Sequence, residues 1–443
     1  MDDSEQPANK RDQHSARVIP LRGARSTGSA EQLASDLQRL ARDTSATLTD
    51  LVATADEYGV EVPAQVRQAA AILEDPSADR GTVSRRQALG QAAALAGALL
   101  LRPQISALYG LRRVAGDETT ERVTYALTRP TRVDASTIAD MEAVTAAYRR
   151  SYRQLSARTL LPQAEGQVEL VRELLGGSMK ETLRERLTAT AGETIALVGV
   201  MLLMDLYSFD VAWSRLGNAL DAAREAKVRE LEAFVLGCMA FNASYTGRRV
   251  EAVDLITQAR RLATEGDGAT TRGWLAAVEA EVRARSGNAR GCLVALEAAE
   301  NALQEIQKGG PAWVGIGAFD AAKLKGYYGL CYLQLQRPQE AVTELTEALD
   351  GLDPALRKHR CTTLADLATA LIRVGEIDEG CRRASQALTL AIELRHAVSV
   401  DRIRGLDQHL NPWGDVPAVT AFREQLTEQL LLAFSRSAQL ADW

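Results

Sequence analysis

Gly329-Leu-Cys-Tyr-Leu-Gln-Leu-Gln336-Arg-Pro-Gln-Glu-Ala341-Val-Thr-Glu-Leu345-Thr-Glu-Ala348-Leu-Asp-Gly-Leu-Asp-Pro354 is the stretch that decides the fold. Small and apolar residues recur at helical spacing on both sides of Gln336, which predicts two helices joined by a tight turn. Ala341, Leu345 and Ala348 share one face of the second helix, where small side chains let the pair approach closely. Pro354 supplies the stop.

The pattern occurs five times. When Tyr207, Gly247, Gly287, Gln336 and Gly375 are aligned, five residues on come Ala212, Ala252, Cys292, Ala341 and Gly380. Four later stand Leu216, Ile256, Leu296, Leu345 and Ala384, and three later Ala219, Ala259, Ala299, Ala348 and Ala387. Tandem pairs of this kind resemble tetratricopeptide repeats, whose units bury their apolar face only against a neighbour. The steps run at roughly 40 residues where the usual period is about 34, so longer helices are expected. Gly309-Gly-Pro-Ala-Trp313-Val-Gly-Ile-Gly317 is predicted to be the long connection that stretches the step from Gly287 to Gln336.

Composition points the same way. The chain has 443 residues and is 46% hydrophobic but only 5% aromatic, with few β-branched runs, so no sheet is expected. That length exceeds one ordinary core, which favours an elongated superhelix plus a small N-terminal unit. A net charge of −6 argues against non-specific nucleic-acid binding by the whole molecule. Cys238, Cys292, Cys331, Cys361 and Cys381 fall singly on predicted helices without CxxC spacing. They are expected to be thiol fillers in a reducing compartment, and the protein to be cytoplasmic.

Four segments follow. Residues 1–29 lack apolar periodicity and are expected to be a disordered tail. Residues 30–78 predict a small helical unit with a helix-turn-helix-like junction at Ala55-x-x-x-Gly59-Val60. Its second helix offers Gln65, Arg67 and Gln68 to DNA, fewer polar and basic groups than most DNA-reading helices carry, so a small packing bundle is the competing reading. Residues 79–133 form a linker. Within it, Ser84-Arg85-Arg86-Gln87-Ala88-Leu89 precedes an Ala/Leu-rich run and looks like a twin-arginine export signal, but that run is too short to span a membrane. A buried joining helix is the expectation there. Residues 134–436 form the repeat domain, in which the apolar run ending Met204-Asp205-Leu206 is expected to lie mid-superhelix, not in a membrane.

No catalytic or metal motif is found: HExxH, CxxC and GxxxxGK[ST] are all missing, and His14, His359, His396 and His409 stand alone. An enzyme and a cofactor are therefore not expected. Usual repeat geometry turns the first helix of each pair to the concave side, which would present Met201, Met204, Asp205, Phe241, Ser244, Tyr245, Trp274, Glu281, Arg285, Lys323, Thr369 and Arg373. Phe241, Tyr245, Trp274, Glu281, Arg285 and Lys323 form the candidate groove for a peptide or protein partner, because aromatics interspersed with single charges suit an extended peptide. Packing between helices is the competing role for each.

Phe234-Val-Leu-Gly-Cys-Met, Trp274-Leu-Ala-Ala-Val-Glu-Ala-Glu, Pro311-Ala-Trp313, Phe319-Asp320-Ala-Ala-Lys-Leu and Thr363-Leu-Ala-Asp366-Leu-Ala carry a further likeness. Over about residues 135–410 the sequence is similar to actinobacterial transcriptional regulators in which a tetratricopeptide-like sensor follows a helix-turn-helix. It departs from them at the N-terminus, where the DNA-binding region is degenerate. The resemblance implies a regulator that controls transcription when its solenoid is occupied. Separately, packing of the small N-terminal bundle on a second protomer would give a homodimer. A scaffold or anti-regulator without DNA contact is the alternative.

Overall fold

The computed structural model describes residues 133–263, 268–307 and 319–441, with Arg67 and Val123 as isolated positions. The expected tail, the joining helix, the glycine-rich connection, Gln65 and Gln68 lie outside the described residues. Arg67 is helical and exposed.

Among the described residues there are fourteen α-helices and no strand. They are α1 (Ala135–Tyr152), α2 (Ala157–Leu175), α3 (Glu181–Val200), α4 (Phe209–Glu225), α5 (Arg229–Tyr245), α6 (Arg249–Ala263) and α7 (Ala269–Arg285). Then follow α8 (Ala289–Gln307), α9 (Ala321–Gln334), α10 (Pro338–Gly351), α11 (Arg357–Val374), α12 (Ile377–Leu394), α13 (Ala397–Asp407) and α14 (Pro417–Ala441). A π-helical turn, Met201–Asp205, extends α3. The pairs α3/α4, α5/α6, α7/α8, α9/α10 and α11/α12 pack in series, giving an all-α, tetratricopeptide-like solenoid.

The five aligned turn residues share one backbone state. Tyr207, Gly247, Gly287, Gln336 and Gly375 all have positive φ, between 55° and 92°. After each of the last four, the next amide reaches back five residues: Arg248 to Ala243, Asn288 to Arg283, Arg337 to Tyr332 and Glu376 to Leu371, at 2.8–2.9 Å. This left-handed cap satisfies a carbonyl the helix end leaves open. At Tyr207 the π turn lengthens the loop by one residue, and the Ser208 amide bonds the Leu202 carbonyl at 2.9 Å.

The fifteen aligned residues of the second helices are all buried. At the α9/α10 crossing a Cβ on Gly329 would stand 2.3 Å from Leu345 Cγ, so glycine sets how closely the two helices lie. Asp134 and Asp320 cap α1 and α9 by accepting the amides of Thr137 and Lys323, each at 2.9 Å. All five cysteines are buried thiols. Cys292 of α8 and Cys331 of α9, remote in sequence, lie in one buried cluster.

The superhelix closes on itself. The Tyr207 hydroxyl donates to Asp401 Oδ2 at 2.9 Å, joining the turn after α3 to α13. Lys358 of α11 reaches Asp205 of the π turn at 2.6 Å, and Arg402 of α13 donates to the Tyr245 hydroxyl of α5 at 2.9 Å. The concave face expected from repeat spacing is thus bridged across the axis, and a partly open cavity remains between the bridges. The continuous helix Glu181–Asp205 is long and apolar enough to cross a membrane by length and composition, contrary to the expectation that its apolar run is too short. Within the fold, 78% of its most apolar window is buried.

Candidate functional site

A cavity of about 220 Å³ occupies the axis. Its wall comes from the first helices of the pairs, from α1 and α13, and from adjoining connections; α4, α6, α8, α10 and α12 contribute nothing to it. Its apolar lining includes Val200, Leu203, Phe234, Phe241, Trp274 and Leu330. Its charged and titratable lining falls into two groups, Arg153, Lys323, Lys358 and His359 in one and Glu281, Asp366 and Arg402 in the other.

Trp274 sits over Gly237, where a Cβ would lie 2.8 Å from its ring, and packs on Phe234 with centroids 5.0 Å apart. It therefore both packs between α5 and α7 and lines the cavity.

Two polar clusters adjoin the cavity. Asp205 accepts from the Tyr152 hydroxyl at 2.8 Å, the Ala157 amide at 3.0 Å and Lys358 Nζ at 2.6 Å. Lys358 Nζ also lies 3.5 Å from the centroid of the Tyr152 ring. Burial raises the Asp205 carboxyl above its ordinary range, and Lys358 with these hydrogen bonds pulls it back. His396 approaches Asp205 at 3.7 Å, but burial, with the charges of Lys358 and Arg402, pushes its pKa down to about 3. It stands there neutral, its Nδ1 2.8 Å from Ser399 Oγ.

In the second cluster Arg402 pairs with Asp366, and Glu281 pairs with Arg285 at 3.2 Å. The Arg285 guanidinium stacks 3.9 Å above the Tyr245 ring, which itself stacks on Phe241 at 4.5 Å. Asp366 is pushed up to about 6 by burial, with Arg402 opposing. His359 is pushed down to about 3 by burial, then by the charges of Lys323, His396, Arg153 and Lys358.

Of the six groove residues expected from sequence, Phe241, Trp274, Glu281 and Lys323 line the cavity. Tyr245 and Arg285 are in the adjoining cluster instead. Of the other concave positions, Met204 lines it, whereas Met201 is buried in the core. Thr369 bonds its own helix at the Ala365 carbonyl, and Arg373 bonds the Leu333 carbonyl, so neither faces the cavity. Sequence reasoning placed none of Arg153, Lys358, His359, Asp366 and Arg402 on the concave wall. Only Asp366 carried a visible signal, a carboxylate within the apolar run Leu364-Ala-Asp-Leu-Ala368. Among the described residues, no group of three or more His, Cys, Asp or Glu is placed to hold a metal ion.

Neither a family model nor a curated protein matches the sequence. Among solved structures, one that matches is a Rap protein complexed with competence and sporulation factor. It is 12% identical, with a TM-score of 0.45, covering 77% of this chain and 89% of that one.

Proposed function

We propose that this chain is a cytoplasmic regulatory protein whose solenoid takes a peptide, or a short segment of a protein partner, into the axial cavity and thereby controls transcription. The observation that carries this reading is the cavity itself. Pockets that bind ligands combine an apolar, aromatic wall with a few convergent polar groups, and the first helices supply both here. The Lys358–Asp205 and Arg402–Tyr245 bridges across the axis favour a short segment or chain end over a long extended peptide. A ligand that spans those bridges would shift the two ends of the superhelix relative to each other, a change that an N-terminal unit could report. The similarity of residues 135–410 to helix-turn-helix regulators supports transcription as the output.

The test begins with full-length protein purified from its own cells, denatured, and examined by mass spectrometry for a released peptide or protein segment. Stripped and reloaded protein are then compared for binding to the promoter of its own gene. A released segment that changes promoter affinity is the expected result. No released segment would remove the peptide reading. A released protein with no promoter binding in either state would leave the scaffold without DNA contact.

A further inference from the structure

Charge on the cavity wall is not balanced. Asp205 is taken by Lys358, Asp366 by Arg402, and Glu281 by Arg285. Arg153 lines the cavity from the junction that follows α1 and has none of these carboxylates. Its buried Nε makes no hydrogen bond. A guanidinium N–H shut away from water without an acceptor is unusual, because desolvation of the group then goes uncompensated.

Two further donors line the same cavity. Lys323 enters from the first turn of α9; burial lowers its pKa, the Asp320 carboxylate opposes the shift, and the Arg153 charge adds to it. His359 enters from α11 and is neutral, so its ring carries one N–H donor. Two cationic groups and an imidazole therefore line a cavity whose wall also carries Phe234, Phe241 and Trp274.

We propose that Arg153, Lys323 and His359 form an anion subsite for the carboxylate of an amphipathic ligand whose apolar part lies on Phe234, Phe241 and Trp274. A carboxylate has the planar, two-oxygen shape that a guanidinium binds in a bidentate manner, here through its two Nη groups because Nε is covered. It would give the Arg153 guanidinium, which makes no salt bridge with the carboxylates above, a counter-charge inside the cavity. Away from bulk water each of these contacts is stronger than at a surface. Two ligands offer this chemistry: a peptide ending in an apolar residue, and a fatty acid. The inference deepens the ligand-binding reading above and rests on it.

Titration calorimetry on the full-length protein distinguishes the sources with two matched pairs of probes. One pair is decanoate and decanol; the other is N-acetyl-Leu-Leu-Phe as free acid and as amide. At least one acid should bind, about tenfold or more tightly than its neutral partner, a difference of about 1.4 kcal/mol. Arg153→Met should erase that difference while leaving affinity for the neutral probe within about twofold, and Arg153→Lys should keep part of it. Lys323→Met provides a second variant should Arg153→Met melt early. Decanoate binding without tripeptide binding would uphold the subsite and remove the peptide reading. Equal affinity of acid and neutral probes, equal weakening of both by Arg153→Met, or no binding by either acid would overturn the proposal.

Discussion

Gly329 has no side chain because Leu345 occupies the place where a Cβ would sit, 2.3 Å away. Gly329→Ala must push α9 off α10 or force Leu345 from its rotamer, so it should cost about 1–3 kcal/mol, read as a lower urea midpoint with unchanged m-value. An unchanged midpoint would mean that the crossing relaxes freely. Trp274→Ala should destabilise by less than the about 3–5 kcal/mol of a fully buried tryptophan, since this ring is half-buried and faces the cavity. At this scale the sequence shows which residues are small or aromatic and where they recur. It does not show Arg153, Lys358 or His359 as wall residues, because their partners come from helices far away along the chain. Asp205 lies 153 residues from Lys358, a distance no local pattern spans.

Turns between paired helices were legible because only a few residue types sit comfortably at positive φ. Three of the five aligned positions are glycine; the other two, Tyr207 at φ 55° and Gln336 at φ 61°, were found only through the repeat. Gly375, at φ 92°, lies where a Cβ meets no neighbouring atom, so the cost of Gly375→Ala comes from the backbone alone and should be about 1–2 kcal/mol. Gln336→Gly should be neutral or stabilising by up to about 1 kcal/mol, since relieved strain offsets the added freedom of the unfolded chain. Thermal melts of both variants check the pair, and the opposite signs would contradict the turn assignment. The π turn at Met201–Asp205 was not legible. Its effect is to aim Asp205 at Lys358, and that contact exists only after the superhelix closes.

Closure is the property of the whole molecule that repeat spacing did not reveal, since it depends on small rotations accumulated over five pairs. It buries imidazoles, which gives a pH signature. His359 is held near pKa 3 in the fold and takes up a proton near 6.5 once unfolded. Its contribution is thus fully present above about pH 6.5 and is lost as pH falls toward 3. His359→Gln should gain on the wild type by about 1.4 kcal/mol per pH unit between pH 6.5 and 4, measured by urea unfolding. Asp366 runs the other way. Its folded pKa is raised to about 6, so its contribution is present at low pH and lost as pH rises through 6; Asp366→Asn should gain on the wild type from pH 4 to 6. A pH-independent gap for either variant would place that side chain in solvent.

The central claim is that the closed axis holds a ligand, and Gly326 gives the most direct way to test it. Gly326 lines the cavity from the middle of α9, and a Cβ there would meet nothing nearer than Thr363 Oγ1 at 3.9 Å. Gly326→Leu should therefore grow into the cavity without a clash, and stability should hold or rise by up to about 1 kcal/mol from helix propensity. Wild type and Gly326→Leu, purified side by side from the same cells, are to be compared for the amount of segment released per mole of protein. The account predicts a melting temperature equal to or above that of the wild type, together with loss of the released segment. A variant that melts no lower than the wild type and still carries the segment in the same amount would contradict it.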